Sequence, residues 1–456
     1  MRYPGQSRGA AIESPKEPDA TMDDLGIAGS LGFRERVRQS FTEATANLVL
    51  KAHDCVVERF GTEHTGHILV ADTLLRQHAD YIVVTAALLA PLRRHGCMQA
   101  DEIRALFGEV PADLVEKVYS EDPLRTDTEA HREQDMQRFL RSISGDVRAV
   151  ILRIGLRLAE LERLADQDGD KHQDIAQEAL ELYVPLADRM GMGVLRTQLE
   201  DVCFRILQPA VFEELALNVE PIQAEDELCL ELLKPAVGRL LQQNGVNGTV
   251  YGRTKGLYSL YRKMCRLKCS LEDIMDRVGL RIIVSSVEEC YAVLGLLHTH
   301  FRPVPGTFDD YIGFPKENGY QSLHTCVYPV PDVSRRPVEF QVRTEAMHRQ
   351  AEYGVAAHWL YKTAEEAQAS SDRQVQWLRG LMPQREKAAS HAEFIKYLRR
   401  QVFDSNHVVR NVAGQPVRFP ESVAARDLPE RFLGSNLDGY SVQFSGTTRP
   451  VVSPAG

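Results

Sequence analysis

Apolar residues recur at helical spacing through the first half of the chain. From about residue 33 to residue 207 they return every three or four positions, as in Val70 and Leu74, with few β-branched runs. This spacing predicts an all-helical domain over residues 31–207. Residues 1–30 are rich in Pro, Gly, Ser, Asp and Glu and lack apolar periodicity, so we expect a disordered tail there.

Beyond residue 250 the pattern changes to short apolar runs that alternate with helical stretches. Acidic, helix-favouring residues 213–245 precede this change, and we place a domain boundary near residue 210. The predicted elements are a basic amphipathic helix, a strand, a helix, a Pro/Gly turn, two strands and a long helix, over residues 254–268, 278–285, 287–300, 303–306, 321–328, 337–343 and 345–361. This alternation predicts a compact α/β domain over residues 208–362.

The end of the chain combines a helical and a β-like pattern. Residues 363–393 are rich in Ala, Gln, Ser and Glu, as in a helical linker. Residues 394–456 contain short β-like runs separated by Gly and Pro. The predicted fold class is therefore an all-helical domain, followed by an α/β domain and a small β-rich segment.

Composition and charge narrow the classes of function. The 456 residues include 54 Lys and Arg against 64 Asp and Glu, a formal net charge of -10, which excludes a general basic coat for nucleic acid or anionic lipid. The longest apolar stretch, residues 81–92, is too short to cross a bilayer, and we expect a cytoplasmic protein without a membrane partner. The eight cysteines form no C-x-x-C pair, which favours reduced thiols over a zinc site.

A cationic segment opens the α/β region. Arg253 and Lys255 lie between Gly252 and Gly256 at the start of the predicted helix. Free backbone N–H groups and the helix dipole favour an anion at such a position, and a phosphate chain would fit there. The alternative is an ordinary solvated basic face.

Two acidic residues are candidates for a metal site. The predicted strand 337–343 alternates, which places Glu339, Gln341 and Arg343 on one face. Asp276 lies just before the first strand of the same domain, so neighbouring strands could bring Asp276 and Glu339 together around a divalent cation. Mg²⁺ characteristically takes one or two carboxylates together with substrate phosphates. The alternative is that each is an ordinary strand-end or edge acid.

A tight turn presents an aromatic ring beside two basic residues. Asn318-Gly319 forms the turn, and Tyr320 follows it with Lys316 and His324 nearby. A tyrosine in this setting can stack on a base while the lysine holds a phosphate. The alternative is a hairpin with a packed tyrosine.

These motifs occur together and in order. The matching stretches are Gly252-Arg253-x-Lys255, Tyr258-Ser259-x-Tyr261-Arg262-Lys263-Met264, Asp276 to Arg281, Phe301-Arg302-Pro303-x-Pro305-Gly306, Asn318-Gly319-Tyr320-Gln321-Ser322-Leu323-His324-Thr325, Glu339-x-Gln341-x-Arg343-Thr344 and Gly354-Val355-Ala356-Ala357-His358-Trp359. With this set the chain resembles the synthetase domain of the RelA/SpoT family of (p)ppGpp enzymes. The resemblance implies a nucleotidyltransferase-like fold with a mixed sheet, and transfer of the β,γ-diphosphate of ATP to the 3′-hydroxyl of GDP or GTP.

The resemblance also implies roles for single positions. The ATP phosphates would be held by Arg253, Lys255 and Lys263, with Ser259 close by. Mg²⁺, the implied cofactor, would be ligated by Asp276 and shared by Glu339, which would also activate the attacking hydroxyl. The acceptor nucleotide would be contacted by Tyr320, stacked on the guanine, and by Lys316, Asn318, His324, Gln341 and Arg343.

The helical half resembles the metal-dependent HD hydrolase of the same family, but the metal ligands are missing. The positions of the family's histidine–aspartate pair, its following acidic pair and its distal aspartate are occupied by Ala90-Pro91, Arg94-His95 and Leu156. Only His67 remains of the expected ligands, and one imidazole cannot hold a catalytic ion. We therefore predict an inactive hydrolase domain that serves as scaffold or regulator, for example by binding a regulatory nucleotide.

His53-Asp54 offers a replacement for the lost metal pair. Its spacing to His67 corresponds to a motif that precedes the metal pair, so we interpret it as a surface helix dipeptide.

Two further stretches bear on substrate choice and control. Thr307-Phe308-Asp309-Asp310 is nearer the acidic E-x-D-D of synthetase-only members than the basic R-x-K-D of members that keep hydrolysis, and it leaves GDP and GTP open as acceptors. Residues 397–430 resemble a degenerate TGS domain, and the helical, zinc-finger and ACT modules with which long members sense the ribosome are not found. We therefore do not expect ribosome contact by the usual route.

Two other functions compete with a synthetase-only enzyme. One is a non-catalytic regulator that binds an alarmone or a partner, because the chain has already lost one active site. The other is a diphosphotransferase with another acceptor, such as an adenine nucleotide or a tRNA end. Tyr320 within an unmodified Asn-Gly-Tyr-Gln-Ser motif argues against the second.

Overall fold

The computed structural model describes most of the chain. The described residues are 27–61, 65–119, 136–137, 139–143, 146–165, 167, 170–271, 274, 277–316, 318–328, 337–357, 364–403, 406–410, 416–420, 440–445 and 449–454. The predicted tail lies outside these ranges up to residue 26. Residues 27–30 belong to the first helix, so the prediction of a tail was wrong for them.

The first part of the chain is helical, as predicted. Its helices are α1 (Ile27–Ser40), α2 (Glu43–Phe60), α3 (Thr65–Arg76), α4 (Tyr81–Arg94), α5 (Ala100–Phe107), α6 (Glu109–Tyr119), α7 (Val147–Leu164), α8 (Asp170–Glu178), α9 (Val184–Arg189) and α10 (Gly193–Leu207). A π-helical turn, Ala179–Tyr183, joins α8 to α9. The Asp80 carboxylate starts α4 by accepting the Val83 N–H. The apolar stripes face inward and bury side chains such as Leu88 and Phe139 completely.

A single long helix carries the chain from the helical part to the sheet. This helix, α11 (Pro209–Gln243), covers the stretch whose acidic composition predicts a helix. Its last turns bury Leu230, Leu233 and Val237 against the sheet. The same helix therefore forms one wall of the α/β core.

The α/β part is built on a mixed sheet, which the resemblance implies. Its strands are β1 (Thr249–Thr254), β2 (Val278–Val284), β3 (Arg302–Pro303), β4 (Asp309–Asp310), β5 (Leu323–Tyr328) and β6 (Val338–Thr344). They lie in the order β1-β2-β6-β5-β3, with β4 also paired to β5. β2 and β6 run parallel, and the other pairs are antiparallel.

The two faces of this sheet differ in chemistry. One face buries Leu280, Ile282, Phe340 and Val342 against α11 and α13 (Val287–His300). Successive side chains on a strand point to opposite faces, so the residues between these positions line the other face. That second face carries the polar and charged groups.

The start of the α/β part differs from the prediction. The sequence predicts one helix over 254–268, whereas Thr249–Thr254 form β1 and α12 begins only at Leu257 and ends at Leu267. The extended segment is stabilised by antiparallel pairing with β2 along its whole length. This partner is distant in sequence, so local periodicity could not reveal it.

The last helix of this part is shorter than predicted. The sequence predicts a helix over 345–361, but α14 (Glu345–Tyr353) ends at Gly354, which has a φ of 54°. Glycine adopts this left-handed conformation readily and commonly ends helices. A 3₁₀ turn, Gly354–Ala357, follows, and residues 358–361 lie outside the described ranges.

The C-terminal part begins with two helices, α15 (Ala364–Lys387) and α16 (His391–Phe403). The predicted β-rich segment 394–456 therefore starts inside a helix, because Phe394, Ile395 and Leu398 pack one helical face into the core of the first domain. Two hairpins follow, formed by β7 (Asn406–Arg410), β8 (Pro416–Pro420), β9 (Tyr440–Ser445) and β10 (Arg449–Pro454). Among the helices in the described ranges, none is both long and apolar enough to cross a membrane.

Candidate active site

Two rows of side chains cross the polar face of the sheet. The first row consists of residues that pair across neighbouring strands: Arg253, Gly279, Glu339 and Cys326. The second row contains Tyr251, Arg281, Gln341 and His324. Residues from four strands therefore meet around Glu339, and the glycine in the first row leaves space beside it.

A chain of polar contacts runs through Glu339. Its Oε2 accepts a hydrogen bond from Gln341 Nε2 at 2.8 Å, and Gln341 Oε1 accepts one from Arg253 Nη1 at 3.2 Å. On the other side, Glu339 Oε1 lies 3.3 Å from His324 Nδ1, while His324 Nε2 lies 2.7 Å from the Tyr320 hydroxyl. This series of contacts links the segment predicted to hold ATP with the turn predicted to hold the acceptor.

The turn that carries Tyr320 is held by its own side chains. We call residues 316 and 318–322 the Asn318 loop. Gly319 has a φ of 81°, and Asn318 Oδ1 accepts the backbone N–H of Tyr320 at 3.1 Å. Lys316 Nζ lies 5.3 Å from the centre of the Tyr320 ring and 4.5 Å from that of Tyr311. Desolvation by its neighbours lowers the pKa of Lys316, and an anionic partner would oppose this effect.

Tyr320 is half-buried rather than freely exposed. Its ring meets the rings of Tyr311 and His324 edge to face, and Arg343 lies 6.0 Å from its centre. Burial raises the pKa of Tyr320, so the hydroxyl stays protonated near neutral pH. Tyr311, which the sequence does not single out, therefore belongs to this aromatic group.

A cluster of charged side chains connects the polar face to α14. Glu352 Oε1 on α14 lies 3.0 Å from Arg281 Nη2 and 2.8 Å from Arg343 Nη2, and Arg343 also contacts His348. Burial opposes ionisation of Glu352, but the two guanidinium groups outweigh it and lower its pKa to about 2. Burial and then Arg343 lower the pKa of His348 to about 3. Arg343, which is predicted to contact the acceptor, is thus held by structural partners and is 1% exposed.

We expect the replacement Glu352→Gln to lower the free energy of unfolding by roughly 3 kcal/mol, because the buried guanidinium of Arg343 and the half-buried one of Arg281 would lose their counter-charge. Urea denaturation at pH 7 measures this loss. The folded-state pKa of Glu352 is depressed, so the wild-type contribution is present above about pH 4.5 and disappears as the pH falls through about 2. Glu345→Gln, an exposed acid on the same helix, is the control, and an equal loss in both variants would contradict the assignment.

The donor-side residues follow β1. Lys255 lies between β1 and α12, and Ser259 and Lys263 lie on the first two turns of α12. The expectation that free N–H groups at the start of this helix attract a phosphate was wrong for Tyr258, whose N–H is donated to Asp201 Oδ1 at 2.8 Å. A carboxylate from the helical part already occupies that position. The cationic side chains remain as the predicted phosphate ligands.

The predicted metal pair is described only in part. Asp276 lies outside the described residues, whereas Glu339 is at the centre of the polar face. A Cβ added at Gly279 would lie 3.7 Å from Glu339 Oε2, so a side chain at this position would crowd that oxygen. A hard divalent cation that accepts oxygen ligands fits this donor. Within the described residues no group of three or more His, Cys, Asp or Glu side chains is arranged as a metal site.

The stretch Thr307-Phe308-Asp309-Asp310, which precedes the Asn318 loop, lies beside the polar face. Asp309 on β4 pairs with His324 on β5. Asp310 Oδ2 accepts the Tyr291 hydroxyl at 2.9 Å, and its other oxygen accepts the N–H groups of Ile312 and Gly313. Asp310 therefore orders the approach to the Asn318 loop.

At the positions where we predict that hydrolase metal ligands have been lost, the structure has buried apolar and exposed polar side chains. Ala90 and Pro91 are buried within α4, Leu156 packs against the apolar core, and Arg94 and His95 are exposed. The side chain of His67 lies outside the described residues.

His53 is not the surface residue that the sequence suggests. Its side chain is buried and stacks on Phe33 at 5.5 Å between ring centres. Burial lowers the pKa of His53, which favours a neutral ring in the core.

The fold and the polar face together define a class: proteins in which a helical domain is joined to a mixed α/β sheet that has one charged face. Residues 252–366 match the family described as the region found in RelA / SpoT proteins, and residues 35–193 match an HD domain. Residues 252–366 therefore belong to this RelA/SpoT region, and they follow an HD domain in the chain.

Individual relatives are similar over most of this chain. The GTP pyrophosphokinase of Escherichia coli (strain K12) is 33% identical over 384 residues, which cover 80% of this chain and 51% of that protein. The bifunctional (p)ppGpp synthase/hydrolase SpoT of the same strain is 33% identical over 397 residues, 86% of this chain and 55% of that protein. The chain thus spans about half the length of these curated relatives. The small alarmone synthetase 1 from Bacillus subtilis is 25% identical, with 37% of this chain and 95% of that chain covered and a TM-score of 0.28.

Proposed function

We propose that the chain is a synthetase-only alarmone enzyme that transfers the β,γ-diphosphate of ATP to the 3′-hydroxyl of GDP or GTP, giving ppGpp or pppGpp. The observation that carries the proposal is the chain of contacts from Arg253 through Gln341 and Glu339 to His324 and Tyr320. It places one carboxylate between a cationic segment and an aromatic ring. Diphosphate transfer needs a donor clamp, a proton acceptor and an oriented acceptor nucleotide.

Each group has a defined task in this reaction. The 3′-oxygen forms a bond to the β-phosphorus of ATP, the bond from that phosphorus to the oxygen bridging it to the α-phosphorus breaks, and AMP leaves. Glu339, oriented by Gln341 and His324, accepts the proton of the attacking hydroxyl. Arg253, with Lys255 and Lys263, neutralises the phosphate oxygens.

The remaining groups hold the acceptor and the metal. Tyr320 stacks on guanine, and the ammonium of Lys316 beside it contacts a phosphate. Asp276 and Glu339 would hold Mg²⁺, which lowers the charge on the triphosphate when it is bound. The position of the Glu339 carboxylate on the polar face, beside a glycine, supports this assignment.

An acceptor screen tests the proposal. The full chain is incubated with Mg²⁺ and ATP labelled in the γ-phosphate, together with GDP, GTP, ADP or tRNA in separate reactions. Thin-layer chromatography is expected to show the label on a guanine nucleotide, and ultraviolet absorbance should show unlabelled AMP in equal amount. Label on ADP or tRNA alone would favour the changed-acceptor alternative, and no transfer with any acceptor would favour the non-catalytic regulator.

We further propose that the helical half has no hydrolase activity. Ala90, Pro91 and Leu156 present apolar groups where metal ligands are required, which supports this proposal. The full chain, incubated with 3′-labelled ppGpp and Mn²⁺, is expected to release no pyrophosphate above the buffer control. Release that follows enzyme concentration and persists in Glu339→Gln would overturn it.

A further inference from the structure

The helical part reaches the Asn318 loop directly. Asp188, at the end of α9, accepts a hydrogen bond on Oδ2 from Asn318 Nδ2 at 3.4 Å. Its other oxygen, Oδ1, accepts from Arg196 Nη1 on α10 at 2.5 Å. Asn318 turns its amide oxygen to the Tyr320 N–H, so Asp188 fixes the side chain that orders the aromatic ring.

Near this hydrogen bond, the backbone that follows α9 packs closely against the backbone at the end of α14. The Val355 N–H donates to Met190 O at 3.1 Å. A Cβ on Gly191 would lie 3.1 Å from Gly354 Cα, and one on Gly193 would lie 2.7 Å from Ala351 O. With this little space, the segment after α9 cannot slide along α14 without breaking contacts. The position of Asp188 relative to the sheet is therefore well defined.

The helical part also contacts α12, the helix that carries Ser259 and Lys263. Asp201 Oδ1 on α10 accepts the Tyr258 N–H at 2.8 Å, and Gly256, the residue before α12, offers no side chain for this role. A Cβ on Gly256 would lie 2.8 Å from Asp201 Oδ2, so glycine is needed to admit the carboxylate. Asp201 therefore acts as the cap of a helix in the other domain.

Two more contacts hold α12 against α10. Glu200 Oε1, from a side chain that is 1% exposed, lies 3.5 Å from Arg262 Nη1. The Phe204 ring stacks on that of Tyr261, with ring centres 4.7 Å apart. One face of α10 thus fixes the first two turns of α12, which carry Ser259 and Lys263.

We propose that Asp188 and Asp201 are positioning residues of the synthetase site, one for each nucleotide. Asp188 acts through Asn318 on the acceptor, and Asp201 acts through α12 on ATP. The helical half is then a structural part of the synthetase cleft. This inference rests on the proposed function.

Separate Michaelis constants for the two nucleotides test it in the full chain. Asp201→Ala is expected to raise KM for ATP about 5-fold, the size expected for a lost helix cap, with KM for GDP or GTP unchanged. Asp201→Asn keeps an oxygen that can accept the Tyr258 N–H, and we expect it to restore KM. Asp188→Ala is expected to raise KM for the acceptor about 5-fold, with KM for ATP unchanged. Asp174→Ala, an exposed acid on α8, is the control.

The two roles predict opposite patterns, which general damage to the fold would not produce. Equal changes in both constants for both variants, or no change in either, would overturn the inference. Equilibrium dialysis with a non-hydrolysable ATP analogue supplies a second readout that needs no turnover. If the wild-type chain transfers no diphosphate, the proposed function fails, and the inference is then judged by whether Asp201→Ala weakens binding of this analogue while Asp188→Ala does not.

Discussion

Replacing Glu339 by Gln is expected to abolish diphosphate transfer while leaving the fold intact. The amide is isosteric and still accepts the hydrogen bond from Gln341, but it cannot take the proton of the attacking hydroxyl or balance a metal charge. We expect kcat to fall by about 10³-fold or more, within the range for a lost general base that is also a metal ligand. Formation of AMP from labelled ATP, measured with saturating GDP or GTP, gives the rate.

The control for this prediction is Glu345→Gln, an exposed acid at the start of α14. It changes the net charge equally and is expected to leave kcat within about 2-fold of the wild type, as for surface substitutions. A Glu339→Gln enzyme with near wild-type kcat would exclude Glu339 as the proton acceptor. Thermal unfolding of both variants checks that loss of rate is not loss of fold.

Removing the Tyr320 ring is expected to have the second largest effect. Stacking of a base on an aromatic side chain contributes about 1–3 kcal/mol, so Tyr320→Ala should raise KM for the guanine nucleotide between about 5- and 150-fold. KM for ATP should change little. Initial rates at varied acceptor and fixed, saturating ATP measure the effect.

Tyr320→Phe separates the ring from its hydroxyl. It keeps the aromatic surface and removes the hydroxyl that contacts His324 Nε2. We expect acceptor KM to stay close to the wild-type value and kcat to fall modestly, because His324 would lose a partner while still touching Glu339. If Tyr320→Phe and Tyr320→Ala raise acceptor KM equally, the ring does not stack on the base.

Strand periodicity was sufficient to predict the face that holds the carboxylate. A strand has a period of two, so the alternation in β6 alone places Glu339, Gln341 and Arg343 together, and the structure has them on one face. The Asn-Gly pair likewise predicts the turn before Tyr320, because Gly319 adopts the required positive φ. These features depend on residues close in sequence.

The residues that the sequence did not reveal depend on distant partners. Arg281 within an apolar strand is a signal of a buried charge, but its partner Glu352 lies on a helix where acids are common. β1 was not predicted, because its pairing with β2 is invisible to local periodicity. Asp188 and Asp201 are contributed by the helical domain to the other domain, and no spacing rule connects positions so far apart.

We propose that Asp276 and Glu339 share a divalent cation beside the cationic side chains of Arg253 and Lys255. Electron paramagnetic resonance of Mn²⁺, titrated into the full chain with a non-hydrolysable ATP analogue, tests it directly. A tight Mn²⁺ site is expected in the wild type and in Glu345→Gln, and it should be lost or weakened at least about 10-fold in both Asp276→Asn and Glu339→Gln. Undiminished Mn²⁺ binding in both of these variants would contradict the account.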